Sequence, residues 1–501
     1  MKDTKNIAVV TAGIYVNHAR RMLCGIQKCM DDYDANTFIF TCSRRYDNAY
    51  QHDIGEYNIY SLPKFDEFDG VVLLNSTIGS EKMLKEVADK IKTSKIPAIG
   101  IERDDDNMLN VCIDNKIAMR KIVDHLIEVH GFTRINYISG PLSNPEAIQR
   151  YEAYKEALSE HQIPFEQERV YEEGTFLKES AIPAIQQFLS SKLEFPQAIV
   201  SANDVMALGA LEFLEDHGYR VPQDVAITGF DDDYDAKYHV PSLTTVARRQ
   251  EEVGYTAIKL LLDDSAQSKH VGNRISVKTQ TKLRESCGCE THSKIDNSEF
   301  RKMHFDEKSD NDKYLELTRS MSVDLTSVET FKQLKTCLKK YLPQIDCEEA
   351  YFFLSDDFSD TEDKLDLYKE YIDDTRYLKE GYGDKTTLLL GFEQGQFLED
   401  IKMDFSGFLK RVKESKKKKI VYTISPLHFR DRTYGYCIFG NSTFSLKNKI
   451  FYTLLMEIGN TVETIRKQMM MRAMIKRLDS IWSYDPLTHI YNRSGFAKYG
   501  G

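Results

Sequence analysis

The segment Ala198–Val246 most constrains what this chain can fold into, because two apolar β-runs flank one amphipathic helical stretch. The first run leads into Asn203 and Asp204, and the second, Val225–Phe230, leads into Asp231. In an open parallel sheet, ligands bind in the crevice at the carboxyl ends of the strands. Polar side chains at those ends can bond a small polar molecule without disturbing the apolar core behind them. The segment therefore predicts a small-molecule site on an α/β sheet.

The same alternation of apolar runs and helical patterns extends from Met1 to about Cys289. It predicts a mostly parallel sheet with helices on both faces. Strands are predicted at Asn6–Thr11, Asn36–Thr41, Gly70–Asn75, Pro97–Glu102, Ile135–Gly140, Ala198–Ala202 and Val225–Phe230, with a crossing strand at Leu243–Val246.

Composition limits the classes of protein that fit. The 501 residues are too many for one core, so several domains are expected. A formal net charge of -11 argues against a protein whose main partner is nucleic acid. No apolar run approaches the ~20 residues of a membrane helix, and the start lacks a cleavage site, which predicts a cytoplasmic protein without membrane contact. Nine cysteines, an odd and low number, indicate reduced thiols.

Several motifs of the first 289 residues resemble the Lac repressor and ribose-binding-protein superfamily of type 1 periplasmic-binding-like domains. They are AND.MA.G from Ala202, VP.D from Val221, GFDD from Gly229 and P.LTTV from Pro241. The resemblance implies two similar Rossmann-like lobes joined by a hinge, over residues 1–289, with a small polar ligand, sugar-like or another metabolite, between them.

The resemblance also implies which residues contact that ligand. Arg150 takes the position of an arginine that grips ligand hydroxyls or carboxylates, and a planar fork of donors suits a bidentate polar ligand. The full implied set is Thr11, Ala12, Gly13, Ile14, Asn75, Ser76, Arg150, Asn203 and Asp231.

Structural roles for some of these residues stay open. Asp231 could cap the turn after its strand, Arg150 could lie on a helix surface, and Asn203 or Asp204 could cap the next helix, with capping favoured for Asp204. Arg248 and Arg249 stand where the family commonly has another pair, such as Gln-Pro. We expect both arginines to be solvated; alternatively, one of them alters the choice of ligand.

Repressors of this superfamily begin with a helix-turn-helix module before the first strand of the sheet. Here that strand is predicted to begin at Asn6. We therefore expect no direct DNA binding through that motif.

Cys287 and Cys289 form a C-x-C pair at the end of the first region. Such a pair could bind a metal, but no second pair with zinc-like spacing follows, and His292 alone does not make a site. The expectation is reduced structural thiols, with no metal.

The second half of the chain divides by pattern. Residues 290–312 are polar and predict a linker. Residues 313–450 carry a helix and β-runs at Ala350–Leu354, Thr386–Leu390, Lys419–Ser425 and Tyr434–Gly440, and resemble a GAF- or PAS-like α+β sensor domain. No histidine or cysteine constellation there indicates a cofactor.

Residues 451–484 predict one long helix with a heptad seam. The seam runs through Phe451, Leu455, Ile458, Val462, Ile465 and Met469, and continues through Met471, Ile475, Leu478 and Trp482. Such a seam predicts a coiled coil between two copies of the chain. Alternatively, the helix packs against its own middle domain.

The last segment, 485–501, resembles the opening motif D.LT.L.NR..F of GGDEF-type diguanylate cyclases. The matching residues are Asp485, Leu487, Thr488, Asn492, Arg493 and Phe496. The resemblance implies a cyclase that uses GTP and Mg²⁺ in a longer protein. The sequence ends at Gly501, before the catalytic acids, so no catalytic residues and no cofactor are expected in this chain.

The leading hypothesis is a cytoplasmic, dimeric sensor region whose ligand controls that cyclase and hence cyclic di-GMP. The alternative is a Lac-repressor-like transcriptional regulator or co-regulator without its DNA-binding domain, acting through protein contacts. A third possibility is a pure ligand-binding module.

Overall fold

The computed structural model describes residues 4–43, 50–102, 108–263, 274–289, 297–355, 382, 386–399, 401–415, 417–485, 488 and 490–499. The chain forms two compact units. One contains Met1–Ile99 together with Lys308–Gly501, and the other contains Gly100–Glu307. The predicted domain bounds at residues 289, 312, 450 and 484 stay predictions.

The strands are labelled in chain order. They are β1 (Asn6–Ala12), β2 (Asn36–Cys42), β3 (Gly70–Leu74), β4 (Ala98–Ile101), β5 (Leu109–Ile113), β6 (Ile135–Ile138), β7 (Val170–Tyr171), β8 (Ala198–Ser201), β9 (Ala226–Thr228), β10 (Thr245–Ala247), β11 (Arg274–Val277), β12 (Gln280–Lys282), β13 (Glu349–Ser355), β14 (Thr386–Glu393), β15 (Gln396–Leu398), β16 (Val421–Phe429) and β17 (Arg432–Gly440).

The helices are labelled in the same way. They are α1 (Asn17–Asp32), α2 (Tyr50–Tyr57), α3 (Glu81–Ser94), α4 (Asn115–Glu128), α5 (Pro145–Glu160), α6 (Ala181–Ser190), α7 (Asp204–Asp216), α8 (Tyr234–Tyr238), α9 (Gln250–Leu262), α10 (Asn297–Leu325), α11 (Phe331–Tyr341), α12 (Phe405–Ser415), α13 (Thr443–Lys447), α14 (Ile450–Ser483) and α15 (Arg493–Tyr499). Among the described residues, none of these helices has the length and apolar character needed to cross a membrane.

The first unit is built on one mixed sheet. Its strands run in the order β3-β1-β2-β16-β17-β13-β14-β15. The pairs β1–β3, β1–β2 and β2–β16 are parallel, and the pairs from β16 onward are antiparallel. The predicted α/β class is confirmed, and strands of the N-terminal region share a sheet with strands of the predicted middle domain.

Pairing with β16 removes an exposed edge from β2, because an edge strand leaves a row of unpaired backbone groups. The Asn36 side chain fixes the start of the pairing: its Nδ2 donates to Lys417 O at 2.9 Å, and its Oδ1 accepts from Ile420 N at 3.1 Å. Farther along, the rings of Phe38 and Tyr422 stack with centroids 5.0 Å apart. Polar and aromatic contacts thus join segments nearly 400 residues apart in sequence.

The first half of α14 packs on the sheet of its own unit. Leu455, Ile458, Val462 and Ile465 are between 0% and 5% exposed. At Gly459 an added Cβ would lie 2.2 Å from the carbonyl oxygen of His428, so the helix approaches β16 too closely for any side chain there. The prediction that these four side chains are covered by a second copy of the chain is wrong, because the protein's own sheet covers them.

The second unit carries a parallel sheet in the order β7-β6-β8-β9. Two further pairs complete its strands: β5 with β11, parallel, and β10 with β12, antiparallel. The carboxyl ends of β6, β8 and β9 lie at one edge, where isolated bridges join Thr228 to Thr244 and Asp231 to Ala247. The predicted polar residues lie at this edge: Asn203 and Asp204 follow β8, and Asp231 follows β9.

Candidate ligand-binding site

Arg150 is the most deeply buried cation of the site. Its side chain, on α5, is 1% exposed. Nε donates to Asn115 Oδ1 at 3.0 Å, Nη1 to the carbonyl of Ala202 at 2.8 Å, and Nη2 to Glu146 Oε2 at 3.2 Å. The guanidinium also lies 3.9 Å from the ring centre of Phe230. Arg150 is therefore fixed at the carboxyl end of β8, and the alternative of a surface position on its helix is wrong.

Arg248 supplies a second buried cation, which the sequence analysis missed. Its side chain is 6% exposed and pairs with Glu102, with Glu146 at 2.8 Å and with Asp231 at 3.4 Å. The expectation that Arg248 is solvated is wrong, because three carboxylates surround it, two of them more than 100 residues away in sequence. Arg249 fits that expectation better: it is 47% exposed and pairs only locally with Glu252 at 2.6 Å among the contacts of the described residues.

The helix cap that the sequence analysis favoured for Asp204 is made by Asn203. Asn203 is the N-cap of α7: its Oδ1 accepts from Met206 N at 3.0 Å, and its Nδ2 donates to Phe176 O at 3.0 Å. Asp204 is fully buried and accepts from Thr245 Oγ1 at 2.6 Å. The prediction that Asp204 caps the helix is wrong. The amide oxygen of Asn203 is engaged in the hydrogen bond of the cap. Ligand contact by Asn203 stays a prediction.

The pKa of Asp204 is raised well above its usual range, first because the carboxyl is desolvated by burial and then because Asp231 and Asp233 add negative charge. The two hydrogen bonds that its oxygens accept, from Thr245 and from the backbone of Asp233, act in the opposite direction. The desolvated carboxyl of Asp204 thus lies at the end of the sheet, and no cation pairs with it among these contacts.

Asp231 sits on an unusual piece of backbone. Its φ is 128°, and the φ of Asp232 is 58°, a region that residues other than glycine seldom adopt. Strain of this kind costs on the order of 1–3 kcal/mol and concentrates at functional sites. The backbone N–H of Asp231 donates to Val246 O at 2.9 Å, so the sheet holds the carboxylate where it meets Arg248. Its contact with a ligand stays a prediction.

The residues predicted from the first 76 positions meet at one edge of the other unit. Thr11 and Ala12 end β1, Gly13 and Ile14 follow, and Asn75 and Ser76 form the turn after β3. Thr77 ties the two groups together, since its Oγ1 lies 3.1 Å from Thr11 Oγ1 and accepts from Ala12 N at 3.1 Å. Ser76 is exposed, and the other five are buried. Whether they contact a ligand also stays a prediction.

Six buried side-chain polar atoms of the second unit have no hydrogen-bond partner among the described residues, and four of them belong to Arg248 or to the strands of this edge. These four are Tyr137 Oη, Ser201 Oγ, Thr228 Oγ1 and Arg248 Nε. A buried polar group without a partner costs about 1–3 kcal/mol, so each such group calls for a water or a ligand. Tyr137, Ser201 and Thr228 belong to β6, β8 and β9, the three strands whose carboxyl ends form the predicted site.

Residues 123–287 match the periplasmic binding protein-like domain family. The HTH-type transcriptional repressor PurR of Photorhabdus laumondii is 35% identical over 165 residues, 33% of this chain and 48% of that repressor. PurR of Mannheimia succiniciproducens is 31% identical over 162 residues, 32% of this chain and 48% of that repressor. The probable HTH-type transcriptional repressor ExuR of Bacillus subtilis is 27% identical over 241 residues, 48% of this chain and 70% of that repressor. The chain thus spans about half the length of the PurR relatives.

Two solved structures overlay on part of the chain. The transcriptional regulator CelR–cellobiose complex gives a TM-score of 0.48 at 24% identity, covering 57% of this chain and 86% of that one. The Lac repressor dimer bound to operator and the anti-inducer ONPF gives 0.47 at 22% identity, covering 57% and 94%. Both scores lie below 0.5 and carry no functional information.

The relatives confirm the periplasmic-binding-like part of the resemblance and contradict the cyclase part. All three are named transcriptional repressors, so the expectation of a sensor that controls a diguanylate cyclase is wrong. The associated GTP, Mg²⁺ and cyclic di-GMP are unsupported for the same reason. Tyr484, directly before the segment that resembled a cyclase, pairs with Tyr491 of that segment, while Pro486, Leu487 and His489 lie outside the described residues.

Proposed function

We propose that this chain binds a small polar ligand at the carboxyl edge of β6, β8 and β9, and that this binding regulates transcription. The observation that carries the proposal is the buried pair Arg150 and Arg248 at that edge, within the residues that match the periplasmic binding protein-like family. The repressor names of the relatives support the choice of transcription as the regulated process. The protein acts as a regulator or co-regulator through protein contacts.

The donors of the site call for a ligand with oxygen acceptors. A guanidinium has five N–H groups. Arg150 uses three of them in its bonds to Asn115, Ala202 and Glu146, as far as the described residues go, and Arg248 Nε has no partner there. Hydroxyl or carboxylate oxygens of a ligand satisfy such donors.

The charge balance limits the ligand further. Two guanidinium groups face the three carboxylates Glu102, Glu146 and Asp231. The cluster therefore keeps one formal negative charge, which disfavours a multiply charged anion. A neutral polyhydroxylated molecule, or one that carries both a carboxylate and an amine, fits best.

The experiment is a thermal-shift screen of the full chain against neutral sugars, sugar acids, amino acids and nucleobases. We expect at least one compound to raise the melting temperature of the wild type and not that of Asp231→Asn, which keeps the shape of the side chain and loses its charge. Asp216→Asn is the control, because Asp216 is exposed on α7. Equal stabilisation of Asp231→Asn and the wild type would refute the site.

Regulation is tested with the same variants in the source organism. Transcripts that respond to the stabilising compound in the wild type should stop responding in the Asp231→Asn strain and still respond in the Asp216→Asn strain. Unchanged transcripts in a deletion strain would contradict a role in transcription and leave the ligand site untouched.

We also propose that the second half of α14 pairs two copies of the chain as a short coiled coil. Met471, Ile475, Leu478 and Trp482 repeat at heptad spacing and are 58–72% exposed. Ile475→Glu with Leu478→Glu places like charges in this seam, so we expect a shift from dimer to monomer in sedimentation. Arg472→Glu is the control for added acid outside the seam. A dimer of unchanged strength in the double variant would mean that another surface pairs the copies.

The strand order β16-β17-β13-β14-β15, all antiparallel, supports the further proposal of a GAF- or PAS-like sensor within residues 313–450. The charged side chain of Glu349 on β13 is buried there and accepts from Tyr422 Oη at 3.2 Å.

A further inference from the structure

Four side chains with metal-binding chemistry converge in the second unit, away from the site described above. His125 lies in the last turn of α4, and His130 follows two residues after the end of that helix. Cys287 ends the short 3-10 turn Glu285–Cys287, and Cys289 comes two residues later. One nitrogen from each histidine and both sulfurs lie within 4.8 Å of one another.

The separations fit a tetrahedron around one ion. His125 Nε2 and His130 Nε2 are 3.2 Å apart. Cys289 Sγ lies 3.3 Å from His125 Nε2 and 3.5 Å from His130 Nε2, and Cys287 Sγ lies 3.8 Å from His125 Nε2. Zinc bound to two sulfurs at ~2.3 Å and two nitrogens at ~2.05 Å requires ligand separations of about 3.3 Å between nitrogens and about 3.6 Å between nitrogen and sulfur.

The polypeptide around Cys287 is anchored by contacts that need no metal. Ser286 Oγ donates to Ile227 O at 2.6 Å and accepts from Thr244 N at 2.8 Å, and Ser286 N donates to Ser242 O at 2.9 Å. Gly288 has a φ of 95°, which turns the chain so that the sulfurs of Cys287 and Cys289 lie within 4.8 Å of each other. The sulfur side of the site is therefore pre-organised by the sheet.

The histidine side is fixed as well. His130 stacks on Phe132 with ring centroids 5.3 Å apart, and its ring stands edge-on to His125 at 4.9 Å. Both imidazoles thus present Nε2 to the two sulfurs. The C-x-C pair alone carries too little information to indicate a metal, and the histidines that complete it lie about 160 residues earlier in the sequence.

We propose that His125, His130, Cys287 and Cys289 bind one structural Zn²⁺ ion. Two thiolates and two neutral imidazoles form a closed, tetrahedral ligand set with no position left for substrate, the arrangement of structural rather than catalytic zinc. The ion ties the carboxyl end of α4 to the chain at Cys289. The expectation of structural thiols without a metal is replaced by this proposal.

The test is the zinc content of the full chain, purified under reducing conditions without chelator. We expect one zinc per chain, and after exchange with cobalt we expect the absorption of tetrahedral Co²⁺ together with thiolate-to-cobalt charge transfer. Cys289→Ser and His130→Gln should lose the metal. The matched controls Cys24→Ser and His217→Gln, both at exposed residues, should keep it.

A second measurement covers the case in which a ligand variant does not fold. Wild-type protein treated with a strong chelator should melt at a lower temperature, and added Zn²⁺, but not Mg²⁺, should restore the original melting temperature. Zinc far below one equivalent after reconstitution, equal zinc in the ligand and control variants, or a Cys287–Cys289 disulfide that persists in reductant would each overturn the proposal.

Discussion

Replacing Arg150 with methionine should both remove ligand-dependent stabilisation and lower the free energy of unfolding. Methionine keeps much of the length of the side chain and removes its charge and donors. The carboxylate of Glu146 then loses a buried partner, and the oxygens of Asn115 and Ala202 lose theirs. Breaking a buried ion pair by removing one partner costs about 3–5 kcal/mol. We expect a loss of that order, measured by chemical denaturation.

Two further variants serve as comparisons for Arg150→Met. Arg249→Met removes a half-exposed guanidinium that pairs only locally among the described residues, so its effect should stay within about 0.5 kcal/mol. Arg150→Lys keeps the charge but cannot make the three directed bonds, so it should recover part of the stability and none of the ligand response. Equal stability of Arg150→Met and Arg249→Met would show that the burial of Arg150 contributes nothing to the fold.

Strands that form from local apolar runs could be predicted from the sequence. β1, β2 and β8 begin at the predicted residues and end within one residue of the predictions. The run Leu109–Ile113 was missed, since polar Asn110 interrupts it and its parallel partner Arg274–Val277 lies more than 160 residues away. Local pattern identifies a strand only where the run itself is apolar enough.

Pairings between distant segments could not be predicted. Nothing in the residues of β2 says that its neighbour will be β16, because the pairing depends on contacts such as that of Asn36 with Lys417. The burial of Arg248 has the same cause. Next to a strand end, an arginine is typical of a solvated surface, and only Glu102 and Glu146, which the fold brings beside it, make burial favourable.

At the candidate site, the predicted helix cap was wrong by one residue: the N-cap of α7 is Asn203 and not Asp204. Asn203 and Asp204 are both good N-cap residues, and the pattern alone does not say which of them starts the helix. Once Asn203 caps α7, the next side chain points into the core, where Thr245 Oγ1 and the backbone N–H of Asp233 bond it. Burial raises the pKa of the carboxyl that results, so its protonation is expected to contribute to the pH dependence of stability.

Replacing Asp204 with asparagine should change how stability depends on pH. Burial raises the pKa of Asp204 in the folded protein, whereas in the unfolded chain the pKa is about 3.9. Below about pH 4 both states are protonated and the contribution to stability is complete. As the pH rises toward the folded pKa, only the unfolded state releases the proton, so the free energy of unfolding falls by about 1.4 kcal/mol per pH unit.

Asparagine has no proton to release and keeps both hydrogen bonds, since its oxygen accepts from Asp233 N and its amide donates to Thr245 Oγ1. We therefore expect the stability of Asp204→Asn relative to the wild type to increase with pH across this window, in denaturant titrations at several pH values. Asp216→Asn, on the exposed face of the same helix, should run parallel to the wild type. If Asp204→Asn also ran parallel to the wild type, the two hydrogen bonds would outweigh burial, and Asp204 would be ionised in the folded protein.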